Sequence, residues 1–139
     1  MFSKSNLWAG LVGGIAMFFL GYLLWGLAMG DFFTGHSLVD LEGNVPNLGI
    51  VALGNLVMAY VMAVLYGKWA RGQHSPSQGF IFGAWIGAFA GLGMGLLQFG
   101  TLALMDLTGY LVQGVLDILF FGLIGAIIAF VYQKTAPKA

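Results

Sequence analysis

Not one cysteine occurs in this sequence, which excludes disulfides, a lipoprotein anchor and thiolate metal sites and leaves the redox compartment open. Charge is scarce as well, at 7% of residues against 60% hydrophobic. A water-soluble globule of 139 residues could not hide that much apolar surface, so the predicted solvent is lipid. No basic or extended segment points to nucleic acid. Both histidines, His36 and His74, fall in expected loops, so no span offers an imidazole to a haem iron or a chlorophyll magnesium, and no cofactor is expected.

What is present is a set of long neutral stretches: Ser5 to Gly30, Gly43 to Gly67, Gly72 to Met105, and Leu107 to Gln133 broken only by Asp117. A helix crosses about 30 Å of hydrocarbon with roughly 20 apolar residues. The spacing predicts spans near 7–29, 48–67, 79–104 and 110–132, in a single all-α domain covering 1–139. Barrel strands would alternate polar and apolar residues, whereas Ile15 to Leu24 is unbroken apolar apart from Gly21 and Tyr22. The first span, too long for a secretory signal and followed by no small-x-small cleavage site before Asp31, is expected to remain in the mature protein.

In a four-span arrangement Lys4, Lys68, Arg71, Lys134 and Lys138 share one side, which the positive-inside rule makes cytoplasmic. Asp31, Asp40, Glu42 and Asp106 share the other. Both termini are therefore expected inside, and the short design favours a bacterial inner (cytoplasmic) membrane. Trp8 and Trp69 are placed at the inner boundary and Trp25 near the outer one, where indole rings prefer the headgroup level.

Glycine supplies the strongest pattern. Gly79, Gly83, Gly87, Gly91 and Gly95 recur every four positions and lay a stripe without side chains along the third span. Such stripes let a neighbouring backbone approach closely, either within one bundle or across a homodimer contact. Gly10 with Gly14, Ala59 with Ala63 and Gly67, and Gly122 with Ala126 extend the logic to the other spans. A weak internal repeat accompanies it: Gly26 to Gly35 matches Gly91 to Gly100 at five of ten positions, and Tyr66-Gly-Lys68 resembles Tyr132-Gln-Lys134 at an offset of 66. Two-span repeats of this kind would run parallel, unlike inverted transporter halves.

The polar residues within the spans are Asp117, Asn55, Gln98 and Gln113, placed by the predicted spans in one outer-leaflet layer, with Tyr22 and Trp25 able to join from the first span. One reading is a small polar site in which Asp117 titrates or coordinates a cation and the amides supply contacts. The other is interhelical glue, since buried polar contacts in membranes average only about 0.6 kcal/mol. The outer segment 31–46 gathers Asp31, His36, Asp40 and Glu42 in a spacing that matches no metal template, and reads as a solvated loop whose apolar residues cover a partner or fold over the polar layer. Met58 and Met62, one turn apart, read as gap-filling side chains rather than a soft-metal site. No Ser, Thr or Cys nucleophile stands beside an embedded base and no phosphate-binding glycine loop is present, so enzyme chemistry is not expected.

Three segments carry a resemblance: Gly13-Gly-Ile-Ala-Met-Phe-Phe-Leu-Gly-Tyr22, Gly54-Asn-Leu-Val-Met-Ala59 followed by Tyr66-Gly-Lys-Trp69, and the glycine-repeat third helix. Together they resemble a group of small bacterial four-span proteins classed only as conserved hypothetical membrane proteins; that resemblance implies a four-helix membrane bundle and no particular function. Two functional expectations follow. The first is a non-enzymatic accessory or structural subunit that packs against another membrane protein or itself. The alternative is a small ion- or proton-coupled transporter, channel or ligand-binding protein built around Asp117.

Overall fold

A computed structural model of the chain describes residues 3–40 and 46–136. Glu42 and Lys138 lie outside those residues. Every described regular element is helical: α1 (Lys4–Ala28), the short α2 (Gly30–His36), α3 (Leu48–Ala70), α4 (Pro76–Thr101) and α5 (Leu107–Thr135). The four long helices are apolar and long enough to cross a membrane.

Local chemistry sets their ends. Each long helix starts on a side chain that accepts from its own first turn: Ser3 from Asn6 N, Asn47 from Ile50 N, Ser75 from Gln78 N, and Asp106 from Gly109 N. Pro76 follows Ser75 at the first helical position, where its missing N–H leaves nothing unsatisfied. These caps place α4 and α5 three residues earlier than hydropathy alone predicts, because Pro76, Ser77 and Gln78 and then Leu107, Thr108 and Gly109 form first turns rather than loop. At the far end α4 closes at Thr101, and α3 runs on to Ala70, where Arg71 (φ 52°) and Gly72 (φ 85°) turn the chain left-handed. Both α1 and α4 widen from α- to π-helix partway along, over Tyr22–Ala28 and Ala88–Gly93.

The helices alternate in direction. Glycines locate the contacts: a Cβ built on Gly10 would come within 3.0 Å of Tyr60 Cα, and one on Gly14 within 3.0 Å of Leu56 Cα, so α1 and α3 run antiparallel. Along α4, a Cβ on Gly79 would overlap the Gly125 carbonyl oxygen, one on Gly83 that of Phe121, and one on Gly87 that of Asp117, so α4 descends α5 backbone against backbone. The Ser5 and Thr135 hydroxyls, 3.1 Å apart, join the first turn of α1 to the last turn of α5. Hence Lys4, Lys68, Arg71 and Lys134 gather at one end of the bundle and Asp31, Asp40 and Asp106 at the other. The core between the helices is Ala59, Ala63, Ile124 and Ile128, with Tyr66 and Tyr132 packed edge to face at 5.3 Å.

Shifting residue numbers by 66 maps one helix pair onto the other. The Gly13–Ala59 contact becomes Gly79–Gly125, Gly14–Leu56 becomes Phe80–Gly122, and the start of the π turn at Tyr22 becomes Ala88. The equivalence fails in one place: α1 packs firmly on α5, whereas α3 only brushes α4.

Candidate functional site

The polar residues of α5 meet those of α1 and α4 at the end opposite the cations. Asp117 sits ten positions into α5, about 15 Å from its first residue, deeper than the roughly 10 Å expected from a span beginning at Tyr110. It is 8% exposed. One helical turn away, the Gln113 amide donates to both of its oxygens, at 3.3 and 3.2 Å. The Gln113 carbonyl in turn accepts the Trp25 indole N–H at 2.8 Å, and the Trp25 ring packs edge to face on Phe120 at 4.9 Å. A chain of bonds thus runs from α1 through Gln113 to the Asp117 carboxylate.

Glycine makes room for that carboxylate. A Cβ on Gly91 would lie 2.6 Å from Asp117 Cβ and 2.8 Å from its Oδ2, so any side chain at 91 would occupy the space the carboxylate fills. Both π turns fall at this level, with Trp25 inside the first and Gly91 inside the second. Such turns break the helical ladder locally and recur where a helix is shaped around a site.

Gln98 joins through Tyr110: the phenol donates to Gln98 Oε1 at 2.9 Å and accepts the Leu104 N–H at 3.1 Å. Asp117, Gln113, Gln98 and Tyr110, with Gly91 and Met94, line a cleft of about 330 Å³. A second cleft of about 420 Å³, lined by Trp25, Phe33 and Thr34, shares Gln98, Tyr110 and Gln113 with the first. Among the described residues, no Lys, Arg or His lines either one. Three of the four polar residues singled out from the sequence therefore come together. Asn55 does not join them: it is half-buried on α3 and lines neither cleft. Tyr22 is 57% exposed and also stays away. Trp25 turns its N–H inward to Gln113 rather than toward a boundary. Tyr110 was missed because an aromatic at the start of a span reads as an interface residue, and only the fold shows its hydroxyl reaching Gln98.

The expectation of a solvated loop after α1 is corrected. Residues 30–36 form α2, and the strand-like stretch beyond it meets the turn before α5: Leu38 N–H donates to Leu104 O at 2.8 Å and Asp106 N–H to His36 O at 3.0 Å. His36 Nδ1 stands 2.8 Å from Asp106 Oδ2, and its ring lies 4.3 Å from Phe32. The Gly109 N–H and then His36 hold the Asp106 carboxyl below the usual carboxylate range. Through Phe33 and Thr34, α2 roofs the second cleft. Among the described residues no three His, Asp or Glu are close enough to hold a metal ion.

At the opposite end His74 stacks on Tyr132 at 4.9 Å, and burial pushes its imidazole below the ordinary histidine value. Its Nδ1 and the hydroxyl of fully buried Tyr66 lack hydrogen-bond partners among the described residues, although Tyr66 lies beside the Ser75 main chain.

No family model, curated protein or solved structure matches this chain.

Proposed function

We propose that this chain is an integral membrane protein of a bacterial inner membrane with both termini in the cytoplasm, and that it holds a small ion or solute in the Asp117 cleft without chemistry of its own. Support for insertion is the distribution of side chains: small residues and Tyr66, Tyr110 and Tyr132 face inward, whereas Trp85 and Phe89 are each 71% exposed and leucines with other apolar side chains cover much of the outward faces. Exposed apolar surface on that scale is costly in water, at about 25 cal/mol per Å², and costs nothing in hydrocarbon. The shared end of Lys4, Lys68, Arg71 and Lys134 supports a cytoplasmic assignment for that end. In lipid, where apolar surface alone does not drive helices together, the contact of Gly79, Gly83, Gly87 and Gly91 with α5 gains dispersion and Cα–H···O attraction.

A single observation carries the functional reading. Asp117 is a buried carboxylate in mid-helix whose partner among the described residues is a neutral amide and whose side chain faces a cleft. Ionisable groups so placed in a membrane are expensive and mark ion paths, proton relays or ligand sites. Beside the Asp106–His36 pair the Ser37 hydroxyl donates to Val39 O at 2.8 Å rather than to the imidazole, which supports a reading without enzyme chemistry.

The cysteine-free chain permits a clean test. Met94→Cys, in the cleft wall, should react in intact cells with an impermeant thiosulfonate, and Val115→Cys, on the outward face of α5, should not. An inert Met94→Cys would remove the idea of a cleft open to the outside. Self-association remains a second reading, favoured by Asn55 and by the adjacent Gly54, which has open space around it on the least buried long helix. Mild-detergent isolation followed by mass measurement tests it; a bare monomer would count against it.

A further inference from the structure

We infer that the cleft beside Asp117 accepts an organic monocation with an apolar body, an amine or quaternary ammonium, entering from the end of the bundle that carries Asp106. The inference rests on the reading of the cleft as a ligand site and specifies the ligand class.

Hydrogen-bond inventory gives the first argument. The donors at the site are mostly used within its own wall: the Trp25 N–H on Gln113, the Gln113 amide on Asp117, and the Tyr110 hydroxyl on Gln98. The Gln98 amide nitrogen is the exception. What remains open is acceptor capacity, because an ionised carboxylate offers about four lone-pair positions and Gln113 uses two of them. A ligand carrying donors or positive charge fits this wall, and an anion does not.

Charge gives the second. Among the described residues, Asp117 is the one charged group that lines the clefts, and no Lys, Arg or His there neutralises it. Asp31, Asp40 and Asp106 lie at the same end of the bundle, while Lys4, Lys68, Arg71 and Lys134 lie at the other, so the field steers cations toward the mouth.

The walls give the third. Inorganic cations require several oxygens at once, whereas beyond its few oxygens this cleft presents Met94, the Tyr110 ring and, in the adjoining space, Trp25 and Phe33. Aromatic faces and thioethers suit alkyl ammonium groups, through cation–π attraction and apolar contact. The two adjoining volumes, about 330 and 420 Å³, fall in the usual range for small-molecule sites.

The test uses the full chain in lipid nanodiscs, in mildly alkaline buffer, with two probes of the same shape: benzyltrimethylammonium and its neutral isostere neopentylbenzene. Calorimetric titration should show the cation bound about tenfold or more tightly than the isostere, with Asp117→Asn removing about tenfold or more of that preference. Met94→Trp, which fills the cleft and leaves Asp117 in place, should abolish binding of both probes; this variant serves if Asp117→Asn proves unstable. Equal affinity for the two probes, or a preference that survives in Asp117→Asn, overturns the cation class and leaves the cleft as an apolar ligand site. Binding of neither probe, or cation binding unchanged in Met94→Trp, overturns both the class and the site.

Discussion

A single methyl group decides how closely α4 meets α5. At Gly83 an added Cβ would overlap the Phe121 carbonyl oxygen, a main-chain atom that cannot rotate away, whereas at Gly95 it would rest 3.6 Å from the Tyr110 ring. Gly83→Ala should therefore destabilise the protein by about 1–3 kcal/mol, the usual cost of overpacking. Gly95→Ala should be neutral or slightly stabilising, since alanine is the better helix former by about 1 kcal/mol. Thermal unfolding in detergent compares the two, and equal midpoints would mean that α4 does not lie on α5 in this register. Gly91 links this packing to the site, because its missing side chain leaves the volume that the Asp117 carboxylate occupies. Trp25→Phe keeps the ring against Phe120 but removes the N–H bonded to Gln113. Its expected cost is about 0.6 kcal/mol, typical of polar contacts between membrane helices; a loss several times larger, by the same unfolding measurement, would show that the bond chain governs the whole bundle. Of the site residues, Asp117, Gln98 and Gln113 were legible because polar side chains are rare in apolar helices. Their common layer was legible from depth along the spans, but the separation of Asn55 was not, since depth along a span says nothing about the direction in which a side chain points.

Among the elements, α2 has the least local support and depends on its tertiary contacts. Its seven residues are too few for a helix to persist alone, and it is held by the His36–Asp106 pair and the main-chain bonds of Leu38 and Asp106. That explains why hydropathy patterning read the segment as loop. Asp106 acts twice, capping α5 through Gly109 N and pairing with His36. Because its folded carboxyl titrates below the unfolded value of about 4, it adds stability that is complete above that pH and is lost as pH falls through the folded value. Protection from hydrogen exchange over 30–38, referenced to the intrinsic amide rate at each pH, should fall in acid below about pH 4. Asp106→Asn keeps the cap but has no carboxyl to protonate, so its exchange should lack that acid step; an identical step in the variant would show that another group governs α2. The starts of α4 and α5 were encoded locally, by Ser75-Pro76 and by Asp106, but length and hydropathy overlooked those caps. The π turns have no comparable local signature.

For the whole molecule, the claim with the widest consequences is which end faces the cytoplasm. Asp40→Cys and Gln73→Cys lie at opposite ends of the bundle. In intact cells an impermeant maleimide should label the first and spare the second until the membrane is permeabilised; equal labelling before permeabilisation contradicts the proposed orientation. The repeat at an offset of 66 spans the whole chain, helix pair against helix pair. Two antiparallel helix pairs share contact positions, yet only α1 and α5 close firmly across the middle, while α3 merely brushes α4. Asn55 lies on that looser helix, outside the polar group it was expected to join.

Four long apolar helices follow from composition and spacing alone, because a run of some twenty neutral residues has few other ways to satisfy its backbone. The gathering of cations at one end follows as well, since helices joined by short turns must alternate in direction. Which helix the glycine stripe faces, how α2 roofs the cleft, and that Trp25, Gln113 and Asp117 form one chain of bonds depend on rotations about helix axes. Those rotations are set by packing between residues as far apart in sequence as 25 and 113. Local periodicity carries no information about them, so they emerge only when the whole chain is assembled.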